Sequence, residues 1–415
     1  MRILKFALLA VVVAVLAFVG FAKYRDGHGL VDQGIAEGPL ALAGTPVERG
    51  RYLAAAADCT ACHTVPGGDE YAGGVAFALP FGTLYSSNLT ADPDTGIGGW
   101  TEDEFVTAVR SGLARGGRRL YPAHPYTTYA GMARNDVIAI KAYLDSLPAV
   151  KNAVPSGQLS FPYSQRNLLP LWNALYQPAV GFKPDPGRDA AWNRGAYLAN
   201  ALGHCGECHT PRNFAYALKS GQALSGAVTR GWKAYDITPE GLAAWTAEAL
   251  DAYLATGHAP DHGIAAGPMK AVVAFDTAQL TSDDRQALVR YVRGARQEPA
   301  KAAVQARSVA DPASVGANLY AGTCAGCHAL GALATGGNPM DLRGASSVRD
   351  PAGTNVLRLL AAGPTHDSEE NMGMPSFARG YSDSERAALA NFVLAEWGGL
   401  PPKLTANDAR SATQP

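Results

Sequence analysis

The motifs Cys59-Thr-Ala-Cys62-His63, Cys205-Gly-Glu-Cys208-His209 and Cys324-Ala-Gly-Cys327-His328 constrain this chain more than any other feature. Two thiols three positions apart can each add to one vinyl group of a single porphyrin, and the adjacent histidine then lies under the iron as its proximal ligand. All six cysteines of the 415 residues fall in these motifs, which leaves none for structural disulfides. Cysteine pairs also build zinc sites and redox dithiols. Here each pair carries its own histidine, and the motifs recur 146 and 119 residues apart (59 to 205, 205 to 324), too wide for one zinc knuckle. Three covalently bound haem c groups are therefore expected. Cys59, Cys62, Cys205, Cys208, Cys324 and Cys327 are the attachment points, and His63, His209 and His328 are iron ligands.

The motifs sit in a repeated unit. Val47-Glu-Arg-Gly50-Arg-Tyr52-Leu53 precedes Cys59, Asn193-Arg-Gly195-Ala-Tyr197-Leu198 precedes Cys205, and Gly316-Ala-Asn-Leu319-Tyr320 precedes Cys324. Each unit closes on an amphipathic helix. The first carries Val137, Ile140, Leu144 and Leu147 on one face, with Asn135 or Asp136 as its cap. The second runs from Thr281 through Leu288, Tyr291 and Val292, and the third from the capping box Ser382–Glu385 to Trp397. Middle helices follow Trp100-Thr101 and Trp245-Thr246. No stretch alternates with the period of a strand, so the expected fold is all-α.

The predicted layout is a signal or anchor over 1–25, a tether over 26–45, domain 1 over 46–148 and a proline-rich strap over 149–189. Domain 2 then covers 190–297, a linker 298–312, domain 3 313–400 and a polar, frayed tail 401–415. The strap's aromatics, Phe161, Tyr163, Trp172, Tyr176 and Phe182, predict that it packs on the domains. At the N-terminus an uncharged run from Phe6 to Ala22 lies between Lys5 and Lys23. It reads as a cleaved export signal or, the reading favoured here, a retained membrane anchor. Either places the domains on the periplasmic side of a bacterial inner membrane. A net charge of −1 gives no reason to expect nucleic acid as a partner.

A haem held by one histidine needs a second axial ligand or an open site. Methionine thioether raises the potential and is the usual partner in electron-transfer cytochromes. Met132 in the first unit, Met269 in Gly267-Pro-Met269 and Met374 in Met374-Pro-Ser-Phe377 are the expected sixth ligands. Met372 and Met340 are alternatives in the third unit. His124, in Tyr121-Pro-Ala-His124-Pro-Tyr126, competes with Met132 for the first iron. His204, His258, His262 and His366 read as surface or supporting groups. Pro66 and Pro211, shortly after two of the motifs, suggest that nearby carbonyls orient the imidazoles. Arg110, Arg115, Arg118 and Arg119 read as a solvated basic face, with haem-propionate contact or partner docking as the alternatives.

The chain resembles the tri-haem cytochrome c subunits of bacterial membrane-bound dehydrogenases over about residues 45–400. Glu48–Leu53, Tyr121–Tyr126, Trp192–Leu198, Gly203–Asn213 and Gly267–Met269 carry the resemblance. It implies three tandem class I cytochrome c domains and no catalytic residues. It also implies a partner dehydrogenase subunit of flavin, PQQ or molybdenum type, with ubiquinone or a terminal oxidase as acceptor. A haem enzyme of peroxidase or thiosulfate-oxidising type, or an independent electron shuttle, is the alternative.

Overall fold

The computed structural model describes residues 2–27, 32–40, 42–294, 308–328, 342–363 and 374–413. Met340, Met372, His366 and residues 298–307 of the predicted linker lie outside them. Two compact units divide the chain, residues 1–204 and 205–415. The division falls immediately before the second motif rather than at the boundaries of the three sequence repeats.

In the first unit α1 (Arg2–Gly27) contains the apolar run. Among the described residues no helix is long and apolar enough to cross a membrane. Next come α2 (Pro46–Ala56), α3 (Cys59–His63), the hairpin β1 (Ala76–Leu79)–β2 (Gly82–Tyr85) and α4 (Glu102–Ser111). A second hairpin, β3 (Leu113–Ala114)–β4 (Arg118–Arg119), leads into α5 (Tyr126–Tyr129) and α6 (Arg134–Asp145). Thr45 and Thr101 begin α2 and α4 in capping boxes with Glu48 and Glu104, as their spacing implies. Gly50 explains the glycine in the repeated phrase. A Cβ there would lie 1.9 Å from the carbonyl oxygen of Ala139, so only glycine lets α2 cross α6 backbone to backbone.

The strap is ordered. Its β5 (Gln158–Leu159) adds to β2 as a third strand, and α7 (Leu169–Tyr176) follows. Tyr163 stacks on Phe81 at 4.0 Å, and the Tyr126 hydroxyl donates to Asn173 at 2.7 Å. The helix opening the second repeat, α8 (Ala190–Tyr197), packs within this unit. Its Tyr197 is fully buried, donates to Asp136 at 2.6 Å and accepts from the Ala133 N–H at 2.9 Å. That use of Asp136 corrects the predicted cap: α6 starts at Arg134 after Ala133, without a side-chain cap, because Asp136 is drawn into the core.

The second unit begins with α9 (Gly206–His209), then the hairpin β6 (Ala227–Thr229)–β7 (Trp232–Ala234) and α10 (Ala247–Thr256). The hairpin β8 (His258–Ala259)–β9 (Gly263–Ile264), α11 (Pro268–Phe275) and α12 (Ser282–Arg293) complete this repeat. The third repeat has α13 (Val315–Leu319), α14 (Ala325–His328), α15 (Thr354–Ala362) and α16 (Asp383–Gly398). Its core holds Leu357, Leu360, Leu389, Val393 and Leu394. Gly316 meets the Ala388 carbonyl as Gly50 meets Ala139.

Two expectations are corrected. The fold is mostly helical but not all-α, since four small antiparallel sheets interrupt it among the described residues. Strands of two to four residues are too short to show a period. The described part of the tail, residues 401–413, is ordered. Helix α17 (Ala406–Ser411) packs on α16, buries Ala409, and ties Arg410 to Asp383 at 2.8 Å.

Candidate haem sites

In the first unit α2 delivers the chain to α3, which is the motif Cys59–His63 itself. His63 Nδ1 lies 2.7 Å from the carbonyl oxygen of Ser87, just beyond β2. With Nδ1 donating there, Nε2 is the nitrogen left to hold an iron. The turn back is fixed by Gly73, whose N–H donates to the His63 carbonyl at 2.7 Å and whose φ is +76°.

The second unit repeats this construction. His209 Nδ1 lies 2.6 Å from the Tyr235 carbonyl, just beyond β7, and the Gly226 N–H donates to the His209 carbonyl at 2.8 Å. Burial lowers the pKa of both histidines, which keeps the imidazoles neutral as a ligand requires. The histidine acceptors are thus main-chain carbonyls 24 and 26 residues downstream, not the carbonyls near Pro66 and Pro211. The signal that could have found them is the glycine ahead of each short hairpin.

The methionine expected at the second site, Met269, stands at the second position of α11. Gly267 enters that helix with φ +57°, and a Cβ there would lie 2.7 Å from the Trp232 ring of β7. The same hairpin therefore orients His209 through Tyr235 and seats the Met269 turn through Trp232. In the third repeat Cys324 and Met374 both pack against the core around Tyr320 and Phe377, and His328 ends α14. The cysteines form no disulfide among the described residues. Burial pushes the Cys205 thiol up to about 12 and raises that of Cys324, the reverse of what a reactive dithiol needs. These features fit covalently held haem.

The remaining candidates separate. Met132 is fully buried. The ring of His124 lies 5.5 Å from that of Tyr129, whose hydroxyl donates to the Ala57 carbonyl at 2.7 Å, two residues before Cys59. Burial, with the His63 charge next, pushes the pKa of His124 down to about 4. His204 packs edge-on to Tyr129 at 5.7 Å, and His262 stacks on Trp245 at 3.8 Å. The four arginines do not form one basic face. Arg110 is buried on Asp32 at 2.7 Å, Arg115 bonds the Gly99 carbonyl at 2.5 Å, and Arg118 is exposed.

Comparison with known proteins agrees with this geometry. The cytochrome c family matches residues 47–148 and 313–397. The gluconate 2-dehydrogenase cytochrome c subunit of Pantoea cypripedii is 34% identical over 98% of this chain and 94% of its own length. The fructose dehydrogenase cytochrome subunit of Gluconobacter japonicus is 33% identical over 87% and 81%. A nicotinate dehydrogenase polypeptide of Pseudomonas putida is 41% identical over 84% of this chain, and the match spans only 30% of that longer protein. With two motif histidines anchored through Nδ1 to main-chain carbonyls and its likeness running almost end to end, the chain belongs to the cytochrome c subunits of dehydrogenase complexes.

Proposed function

We propose that this chain is a tri-haem c-type cytochrome relaying electrons from the catalytic subunit of a periplasmic dehydrogenase to ubiquinone or a terminal oxidase. The observation carrying the proposal is the paired hydrogen bonding of His63 and His209. Each is anchored through Nδ1 to a main-chain carbonyl, leaving Nε2 for an iron. Haem c supplies one-electron transfer when bound. The polypeptide attaches it through the cysteine pairs at 59/62, 205/208 and 324/327 and orients His63, His209 and His328. Met269 and Met374 are the sixth ligands in the second and third sites. The names of the relatives support a dehydrogenase partner. Anchoring to the periplasmic side of the inner membrane rests on the sequence alone, through the uncharged apolar run Phe6–Ala22 between Lys5 and Lys23.

The test is intact-mass analysis of chain matured in a host that attaches haem c, together with Cys→Ser variants of each motif. Three haems in the parent, and one fewer in each variant, are expected. A dehydrogenase catalytic subunit, whether flavin, PQQ or molybdenum dependent, should copurify with it from its native host and reduce it when given substrate. A parent with fewer than three haems, or one that its dehydrogenase cannot reduce, would overturn the proposal.

A further inference from the structure

The first and second repeats can be laid over each other position by position between the middle helix and the sixth-ligand turn. Helix α4 ends at Gly112 and α10 at Gly257, both left-handed caps. Each is followed directly by a hairpin of two-residue strands, β3–β4 and β8–β9. The Leu120 N–H returns to the Gly112 carbonyl at 2.8 Å, and the Ala265 N–H to the Gly257 carbonyl at 2.7 Å. Twelve residues beyond the second cap (257 to 269) stands Met269. Twelve beyond the first (112 to 124) stands His124. Met132 falls instead where the second repeat has Thr277, close to the start of the closing helix.

His124 is also built as a ligand. Its ring lies 5.5 Å from that of Tyr129, whose hydroxyl donates to the Ala57 carbonyl two residues before Cys59. Its Nε2 is shielded from solvent and has no hydrogen-bond partner. An imidazole nitrogen left bare in the interior is costly unless something binds it. Met132 sits differently. The Ala133 N–H beside it donates to the Tyr197 hydroxyl, and a Cβ on Gly131 would lie 3.2 Å from the side chain of Ala201. The turn carrying Met132 thus packs on the segment that opens the second repeat.

We propose that His124, through Nε2, is the sixth ligand of the iron held by the Cys59–His63 motif, and that Met132 is a core residue. The first haem is then bis-histidine while the other two are histidine–methionine. Exchange of a thioether for an imidazole makes it the low-potential member of the set. The inference rests on haem being bound at that motif.

The experiment uses the full-length, haem-loaded chain, with haem counted by mass in every preparation so that loss of haem is distinguished from a change of ligand. Paramagnetic resonance and near-infrared magnetic circular dichroism of the parent should show one bis-histidine haem and two histidine–methionine haems. His124→Met should convert the first into a third methionine-ligated haem and raise one midpoint potential, whereas Met132→Leu should leave all three signatures in place. Three methionine-ligated haems in the parent would overturn the assignment even if the His124 variant failed to mature. So would loss of a methionine signature in Met132→Leu at full haem content.

Discussion

The side chain of His63 is held by the main chain of Ser87, Nδ1 to carbonyl oxygen at 2.7 Å, across the whole β1–β2 hairpin. With haem bound, this bond would make the imidazole a more basic ligand and favour the oxidised iron. Gly73 lies where a Cβ would come within 2.5 Å of the Ser87 carbonyl. Gly73→Ala should push that carbonyl off the histidine and raise the potential of the first haem alone, as read by spectroelectrochemical titration. An unchanged potential would mean that the bond does not tune the iron.

The second site offers a parallel test at its methionine. Gly267→Ala would force a side chain into the Trp232 ring at a backbone angle that alanine resists. Methionine ligation of one haem should weaken, and the corresponding charge-transfer band should fall, with haem content unchanged.

Within the second unit, the side chain of Asn355 accepts from the Lys233 N–H at 2.8 Å and donates to the Lys233 carbonyl at 2.9 Å. Beside it the Lys233 ammonium reaches buried Asp350 at 2.8 Å. These bonds lock the second repeat's hairpin to α15. Asn355→Ala should cost about 1–3 kcal/mol in unfolding of this unit and speed proteolysis between the two repeats. Burial raises the Asp350 pKa, but Lys233 and the backbone N–H groups of Ala352 and Thr354 outweigh it and hold the carboxyl below 3.8. Its stabilising effect is therefore full above that value and lost as pH falls through the lower, folded one.

Asp136 behaves in the opposite sense. Burial, opposed by the Tyr197 hydroxyl, holds its carboxyl above 3.8, so the folded chain keeps a proton that the unfolded chain has released. The contribution of this residue to stability should fall as pH rises from 3.8 through the folded value. Asp136→Asn should flatten that slope in denaturant titrations across the acid range. Tyr197→Phe, which strips a donor from Asp136 and an acceptor from the Ala133 N–H, should cost about 1–3 kcal/mol.

The sequence was most legible where structure depends on residues close together. The capping box Ser382–Glu385 acts within one turn, and the repeated phrases ahead of Cys59 and Cys205 lie in or directly before the helices α2 and α8. What escaped depends on partners far along the chain. Arg110 looks like part of a basic run until Asp32, 78 residues away, takes it into the core. Asp136 looks like a cap until Tyr197 claims it. The hairpins escape for a different reason: their strands are two to four residues long and leave no mark in hydropathy.

Because Ser87 and Tyr235 serve His63 and His209 through carbonyl oxygens, the side chains at those two positions are released from the task. One is a small hydroxyl and the other a large aromatic, yet the bond lengths differ by only 0.1 Å (2.7 against 2.6 Å). A protein engineer could therefore change the side chains at positions 87 and 235 without rewriting how either imidazole is held. Drift over generations would have the same latitude, so divergent surfaces can share one common grip on the iron.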